Sequence, residues 1–62
     1  MNRTEAFKLD TAFYAYLDDT DTIGVYGNNT GFCYATPYSW DEARLIAKRL
    51  TESKQAILMV QS

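Results

Sequence analysis

Residues 39–50 read Ser-Trp-Asp-Glu-Ala-Arg-Leu-Ile-Ala-Lys-Arg-Leu, and this stretch decides the fold because it predicts a helix. Ser39 and Glu42 have the spacing of a capping box, in which each side chain accepts a hydrogen bond from the other residue's backbone N–H. Acidic residues precede basic ones, which suits the helix dipole. The apolar residues recur with the period of a helix packed on one face: Ala43, Ile46, Ala47 and Leu50. We therefore expect a helix over residues 40–51.

The segments on either side of this helix predict strands. After it, residues 56–60 read Ala-Ile-Leu-Met-Val, a continuous apolar run that is typical of a buried strand. Before it, residues 22–26 and 32–36 are rich in β-branched and aromatic side chains. The sequence between them, Gly-Asn-Asn-Thr-Gly at 27–31, favours a turn, so these two segments predict a hairpin.

The segment 4–18 fits two structures. Tyr14 and Tyr16 alternate with apolar side chains over residues 12–17, which predicts a strand that pairs with residues 22–26. The apolar residues also have helical spacing, and Thr4 could cap a helix. The aromatic density and the acidic turn that follows favour the strand.

The predicted fold is therefore α+β, with a mostly antiparallel four-stranded sheet and one helix packed on one face. The order of elements is β-β-β-α-β. We expect residues 1–62 to form a single compact domain, because a chain of this length has a small core.

Length and composition argue against an enzyme. The chain has 62 residues, one Cys and no His, so the usual zinc ligands and the commonest general base are lacking. No glycine motif for binding phosphate occurs, and so short a chain has little room for an enclosed catalytic pocket. We expect a protein without catalytic residues, metal or cofactor.

Charge and hydropathy restrict the partners. The formal net charge is −2, whereas a protein that binds nucleic acid by neutralising phosphates carries a basic surface. The sequence has no apolar run long enough to span a membrane, and its first ten residues lack the apolar stretch of a signal peptide. We expect a cytoplasmic protein that binds neither nucleic acid nor membrane.

Tyrosines are the main candidates for a binding surface. One helix covers only one face of the predicted sheet, so several tyrosines should lie on the open face. Tyrosine combines a large contact area with a hydroxyl group and is enriched in protein interfaces. The alternative is purely structural, because cross-strand aromatic pairs stabilise a small sheet by about 0.2–1 kcal/mol each. The candidates are Tyr14, Tyr16, Tyr26 and Tyr34.

Three further features of the sequence bear on function. Asp18, Asp19 and Asp21 lack the pattern of a calcium-binding loop and predict a solvated turn, in which Asp19 and Asp21 could complement a basic partner. Leu45 falls outside the apolar stripe of the predicted helix and could centre a contact surface. Cys33 has no neighbouring cation in sequence, so we expect a small buried hydrophobic residue rather than a reactive thiol.

The arrangement of these segments resembles that of small bacteriophage-encoded inhibitors of host machinery. The resemblance covers residues 12–61 and rests on aromatic strands, the helix opening Ser-Trp-Asp-Glu-Ala-Arg-Leu-Ile-Ala and the final Ala-Ile-Leu-Met-Val. The short phage inhibitor of bacterial RNA polymerase and several anti-CRISPR proteins are similar in size and layout. The resemblance implies a stoichiometric inhibitor that acts in the host cytoplasm, and it assigns no functional residue.

The sequence therefore leaves three hypotheses about function. The first is a regulator that binds and blocks a host protein or complex such as CRISPR-Cas. The second is a module that stacks single-stranded nucleic acid on aromatic side chains of the sheet, which the net charge disfavours. The third is a self-assembling subunit, because a short chain gains stability from forming a homodimer.

Overall fold

The computed structural model describes residues 1–61 and shows two helices and three strands within that range. In chain order, the elements are α1 (Arg3–Leu9), β1 (Phe13–Leu17), β2 (Ile23–Gly27), β3 (Cys33–Ala35) and α2 (Trp40–Gln61). The strands form one antiparallel sheet in the order β1-β2-β3. The predicted α+β class, with antiparallel strands followed by a helix, is confirmed.

Helix α2 begins at the predicted residue but extends well past the predicted end. The Ser39 hydroxyl accepts a hydrogen bond from the Glu42 backbone N–H at 3.2 Å, which is one of the two hydrogen bonds of the predicted capping box. The helix then continues to Gln61, so the prediction of a strand over 56–60 is wrong, and the sheet has three strands within the described range instead of four. A short apolar run fits either structure, and no Gly or Pro interrupts residues 38–61.

The segment 4–18 contains both of the structures that its sequence allows. Asn2 caps α1, because its Oδ1 accepts a hydrogen bond from the Glu5 backbone N–H at 2.8 Å. At Asp10 the backbone becomes extended and the helix ends. The preference for a strand is therefore confirmed over β1 and wrong over α1. The order of elements is α-β-β-β-α and not the predicted β-β-β-α-β.

The register of the sheet changes between β2 and β3. Val25 lies opposite Ala35, whereas Tyr26 lies opposite Cys33. Tyr34 is thus the extra residue of a β-bulge on β3, and bulges of this kind redirect side chains.

The core is small and largely aromatic. The Phe13 ring stacks on the Phe7 ring with centroids 5.5 Å apart, and it meets the Tyr34 ring edge-on at 5.1 Å. Aromatic pairs in such geometries contribute about 0.5–1.5 kcal/mol beyond their area burial. The buried cluster consists of Ala6, Phe13, Val25, Tyr34, Ala43 and Ala47.

A buried carboxylate connects the loop after α1 with the turn between β2 and β3. Asp10 is fully buried; its Oδ1 accepts from the backbone N–H groups of Asn29 and Thr30 at 2.9 and 2.8 Å. Its Oδ2 accepts from the hydroxyls of Thr30 and Tyr34 at 2.7 and 2.6 Å. Burial acts to raise the pKa of Asp10, but these hydrogen bonds outweigh burial and lower the pKa below 3.8. The carboxylate therefore stays ionised in the folded protein.

Two polar side chains join α2 to the rest of the molecule. The Thr51 hydroxyl donates to the Ala47 carbonyl at 2.8 Å and accepts from the Phe13 backbone N–H at 3.0 Å. Lys54 is buried; its ammonium donates to the Phe7 carbonyl at 2.5 Å and lies 4.6 Å from the Phe7 ring centroid. These contacts hold α2 against β1 and α1.

Candidate functional site

Three tyrosines form a contiguous aromatic surface on the sheet. We call Tyr14, Tyr16 and Tyr26 the tyrosine cluster. Their ring centroids are 6.0–6.5 Å apart, so each ring contacts the other two. Tyr14 and Tyr16 are 45% and 53% exposed, and Tyr26 is partly buried.

Strand pairing places the tyrosine cluster on the face opposite the core. Tyr14 lies opposite Tyr26 on the neighbouring strand, and residues directly opposite each other share a face. Val25 immediately precedes Tyr26 on β2 and is buried with Ala43 and Ala47 of α2. Since successive side chains of a strand point to opposite faces, the cluster points away from α2.

Gly24 provides the space in which the Tyr26 ring lies. Gly24 is opposite Tyr16 in the β1–β2 pair. A Cβ atom at position 24 would lie 2.8 Å from Cε2 of Tyr26 and 2.9 Å from its hydroxyl oxygen. The missing side chain therefore lets the Tyr26 ring lie across the strand, where it contacts both tyrosines of β1.

The turn between β1 and β2 is acidic and adjoins the tyrosine cluster. Oδ1 of Asp18 accepts from the Thr20 hydroxyl at 2.6 Å and from the backbone N–H groups of Thr20 and Thr22 at 2.8 and 3.0 Å. These hydrogen bonds lower the pKa of Asp18. Asp19 and Asp21 are exposed, and Asp21 has a left-handed backbone with φ 58°. The Asp18 carboxylate therefore holds the turn, whereas the exposed carboxylates of Asp19 and Asp21 can interact with solvent or a partner.

Burial of the Tyr26 hydroxyl is the main reason that the pKa of Tyr26 is raised above 10.0, with smaller contributions from Cys33 and Asp18. Tyr26 therefore remains a neutral hydrogen-bond donor at physiological pH.

Tyr34 does not belong to this surface, so the prediction of an open-face position for it is wrong. Its side chain is only 5% exposed and lies in the core, where its hydroxyl donates to Asp10. Burial and the Asp10 contact raise the pKa of Tyr34 to about 12. The register of β3 explains the difference: Cys33 lies opposite Tyr26, so Tyr34 points to the opposite face.

Cys33 takes the position on the tyrosine face that Tyr34 was expected to occupy. The prediction of a buried residue is wrong, because Cys33 is an exposed free thiol. Its Sγ donates to the Ala35 carbonyl at 3.4 Å. The turn before β3 is the only local sequence feature that bears on this register, and its length is compatible with Cys33 on either face.

Leu45 is exposed, as its place outside the apolar stripe indicates, but it does not join the tyrosine cluster. Ala43 and Ala47 of α2 face the core. Leu45 is two residues from each, about 200° around the helix, so it points away from the sheet. The structure therefore brings together Tyr14, Tyr16, Tyr26 and the acidic turn, and it separates Leu45 and Tyr34 from them.

The sequence does not predict one contact that matters for the site, between Asp10 and Gly27. Asp10 and Gly27 are in contact: a Cβ at position 27 would lie 1.7 Å from Oδ2 of Asp10. The Asp10 carboxylate packs against Gly27 and accepts from the N–H groups of Asn29 and Thr30, so it holds the β2–β3 turn. Its partners are far apart in sequence, and no local pattern predicts it.

Two shallow depressions lie outside the tyrosine cluster. One, of about 420 Å³, lies between α1 and α2 and is lined by Arg3, Thr4, Phe7, Lys8 and Leu50. The other, of about 360 Å³, is lined by Asp21, Thr22, Ile23, Thr36, Pro37 and Tyr38. Neither contains a base paired with a nucleophile.

Within residues 1–61, no three Cys, Asp or Glu side chains are grouped so that they could hold a metal ion. None of the helices in that range is both long enough and apolar enough to cross a membrane. The chain matches no protein-family model, no curated protein and no solved structure.

Proposed function

We propose that this chain is a small non-catalytic regulator that binds a protein through the tyrosine cluster. By its resemblance to phage inhibitors, the partner is a host enzyme or a defence complex such as CRISPR-Cas, bound in the host cytoplasm. The observation that carries the proposal is the packing of three tyrosine rings against one another on an open sheet face.

Several properties of the cluster favour binding over a purely structural role. Tyr14 and Tyr16 keep about half of their surface in water. Burying them against a partner would remove this apolar area from water, which favours binding. Tyrosine loses little conformational entropy on binding and is frequent among the residues that dominate interface energies. Rings that already contact one another have lost part of that entropy before the partner arrives, which lowers the cost of binding.

Affinity capture with matched variants tests this proposal. Tagged wild-type chain, Tyr16→Ala and Tyr38→Ala are used to capture proteins from a bacterial lysate, and the captured proteins are identified by mass spectrometry. Tyr38 is the matched control because it is fully exposed and lies outside the tyrosine cluster. We expect a protein that the wild type and Tyr38→Ala retain and that Tyr16→Ala loses. Equal capture by all three chains would overturn the assignment of the surface.

Self-association is a second candidate, favoured by the end of α2. The apolar side chains of residues 56–60 are exposed, and Val60 is 88% exposed. No Lys, Arg, Asp or Glu lies between Gln55 and Gln61, so two copies could meet there without charge repulsion. Sedimentation velocity over a concentration series tests this function. A dimer that Leu58→Gln abolishes would support it, and a monomer at all concentrations would exclude it.

A single-stranded nucleic-acid partner is disfavoured by the charges around the tyrosine cluster. All six Lys and Arg residues lie in α1 and α2, and residues 10–43 contain none. Acidic residues adjoin the cluster instead, and these would repel phosphates.

A further inference from the structure

We propose that the tyrosine cluster and the adjoining acidic turn receive a basic segment of the partner protein, with an arginine side chain lying on the tyrosine rings. Arginine is the cation expected, because its planar guanidinium stacks on aromatic faces and pairs with carboxylates. This inference rests on the proposed function and adds the chemistry of the partner.

The distribution of charge along the chain is the first support. Strands β1 and β2 and the turn between them contain three carboxylates and no cation. The side chains of Asp19 and Asp21 make no hydrogen bond or ion pair within residues 1–61. Two carboxylates on one exposed turn are thus available to a basic partner.

The aromatic residues supply the second support. Elsewhere in the chain, three aromatic rings already hold a cation: Arg3 lies 5.4 Å from the Tyr34 centroid, Arg44 lies 5.5 Å from the Trp40 ring centroid, and Lys54 contacts Phe7. The tyrosine cluster has no such cation from the described part of the chain. The rings of Tyr14 and Tyr16 are exposed, and the electron-rich face of an exposed tyrosine ring is a surface that a guanidinium binds.

The geometry of the cluster suits an extended basic segment. Tyr16 meets Tyr14 and Tyr26 edge-on, at interplanar angles of 83° and 81°, so the rings present both faces and edges to a ligand. Asp18 follows Tyr16 by two residues, which is about 7 Å along a strand. Neighbouring side chains of one segment can therefore reach a tyrosine ring and a carboxylate together.

Surface charge also explains why an acidic partner is not expected here. A ligand carrying carboxylates or phosphates would place like charges next to Asp18, Asp19 and Asp21, and like-charge contacts oppose binding. The cations of this chain are on the helices, away from the tyrosine face, and cannot compensate.

Nuclear magnetic resonance of the isotope-labelled full chain tests the inference directly. The probes are two synthetic peptides of equal length in which Gly alternates with Arg or with Glu. We expect the Arg peptide to shift the backbone amide signals of β1, β2 and their turn, and the Glu peptide to leave them unchanged. We expect Tyr16→Ala to weaken binding of the Arg peptide about two- to fivefold, as for one exposed cation–π contact. Shifts confined to the acidic first turn of α2, or equal effects of both peptides, would overturn the inference.

A carboxylate variant separates this inference from the proposed function. The double variant Asp19→Asn/Asp21→Asn keeps the rings and Asp18, which holds the turn. We expect it to bind the Arg peptide about two- to tenfold more weakly and with a smaller salt dependence, because Asp18 is then the only carboxylate left in the turn. Leu45→Ala should bind the Arg peptide like the wild type, because Leu45 is exposed on the side of α2 that points away from the sheet. If the captured lysate protein depends on Tyr16 but not on Asp19 and Asp21, the basic partner is refuted while the proposed function stands. If it depends on neither, both are refuted.

Discussion

Replacing Asp10 by Ala should severely destabilise the fold, because this carboxylate satisfies four donors. The buried Tyr34 hydroxyl would lose its acceptor, which costs about 1–3 kcal/mol, and the partly buried N–H groups of Asn29 and Thr30 would cost about 0.5–1.5 kcal/mol each. The total is about 2–6 kcal/mol. A chain of 62 residues has a free energy of unfolding of about 3–9 kcal/mol at typical values per residue.

Urea unfolding followed by far-ultraviolet circular dichroism measures this loss. We expect Asp10→Ala to lower the unfolding midpoint strongly or to leave a substantial unfolded fraction in buffer. A change in the free energy of unfolding below about 1 kcal/mol would refute the reasoning, because it would mean that water or rearranged loops replace the carboxylate.

A double-mutant cycle with Gly27 keeps the test informative if Asp10→Ala is unstable. In the wild type, the Cβ of Gly27→Ala would overlap the Asp10 carboxylate, with its Cγ only 2.1 Å away. We expect this substitution to cost about 1–3 kcal/mol, as for overpacking. In Asp10→Ser the same change should cost much less, because the overlap is removed. Equal costs in both backgrounds would contradict the contact between Asp10 and Gly27.

Three further predictions concern ionisation and the tyrosine face. The lowered pKa values of Asp10 and Asp18 stabilise the fold above about pH 4, and this stabilisation is lost as pH falls through the pKa values of the folded protein. In a plot of the urea unfolding midpoint against pH, Asp18→Asn should therefore show a smaller fall below about pH 4 than the wild type. In a spectrophotometric titration, Tyr34 should ionise only near pH 12. Its raised pKa stabilises the fold below pH 10, and this stabilisation is lost as pH rises toward 12. Gly24→Ala should displace the Tyr26 ring and weaken capture of the partner while the circular dichroism spectrum is retained; unchanged capture would argue against the ring arrangement.

Local signals in the sequence predict those parts of the fold that local interactions determine. The Ser39 cap and the apolar stripe after it place the start of α2, and the alternation around Tyr14 and Tyr16 places β1. The run at 56–60 is different. Five apolar residues fit a strand or the end of a helix equally, and the preceding helix simply continues because nothing in the sequence interrupts it.

The candidate site is likewise predictable where local interactions determine it and unpredictable where they do not. Tyr14, Tyr16 and Tyr26 share a face because adjacent antiparallel strands with a short turn have one simple register. The positions of Tyr34 and Cys33 depend on the β2–β3 turn, which is held by Asp10 against Gly27. Those contacts join residues far apart in sequence, and a shift of one residue moves every side chain of β3 to the other face.

Tyr16→Ala is the most direct test of the central claim that the tyrosine cluster is a binding surface. The measurement is the affinity of this variant and of Tyr38→Ala for the captured partner protein, taken beside the free energy of unfolding of each. We predict that Tyr16→Ala weakens binding at least about tenfold, as expected for an interface residue that contributes more than about 1.4 kcal/mol, while the variant stays folded. Binding equal to that of Tyr38→Ala, in a folded Tyr16→Ala chain, would contradict the claim.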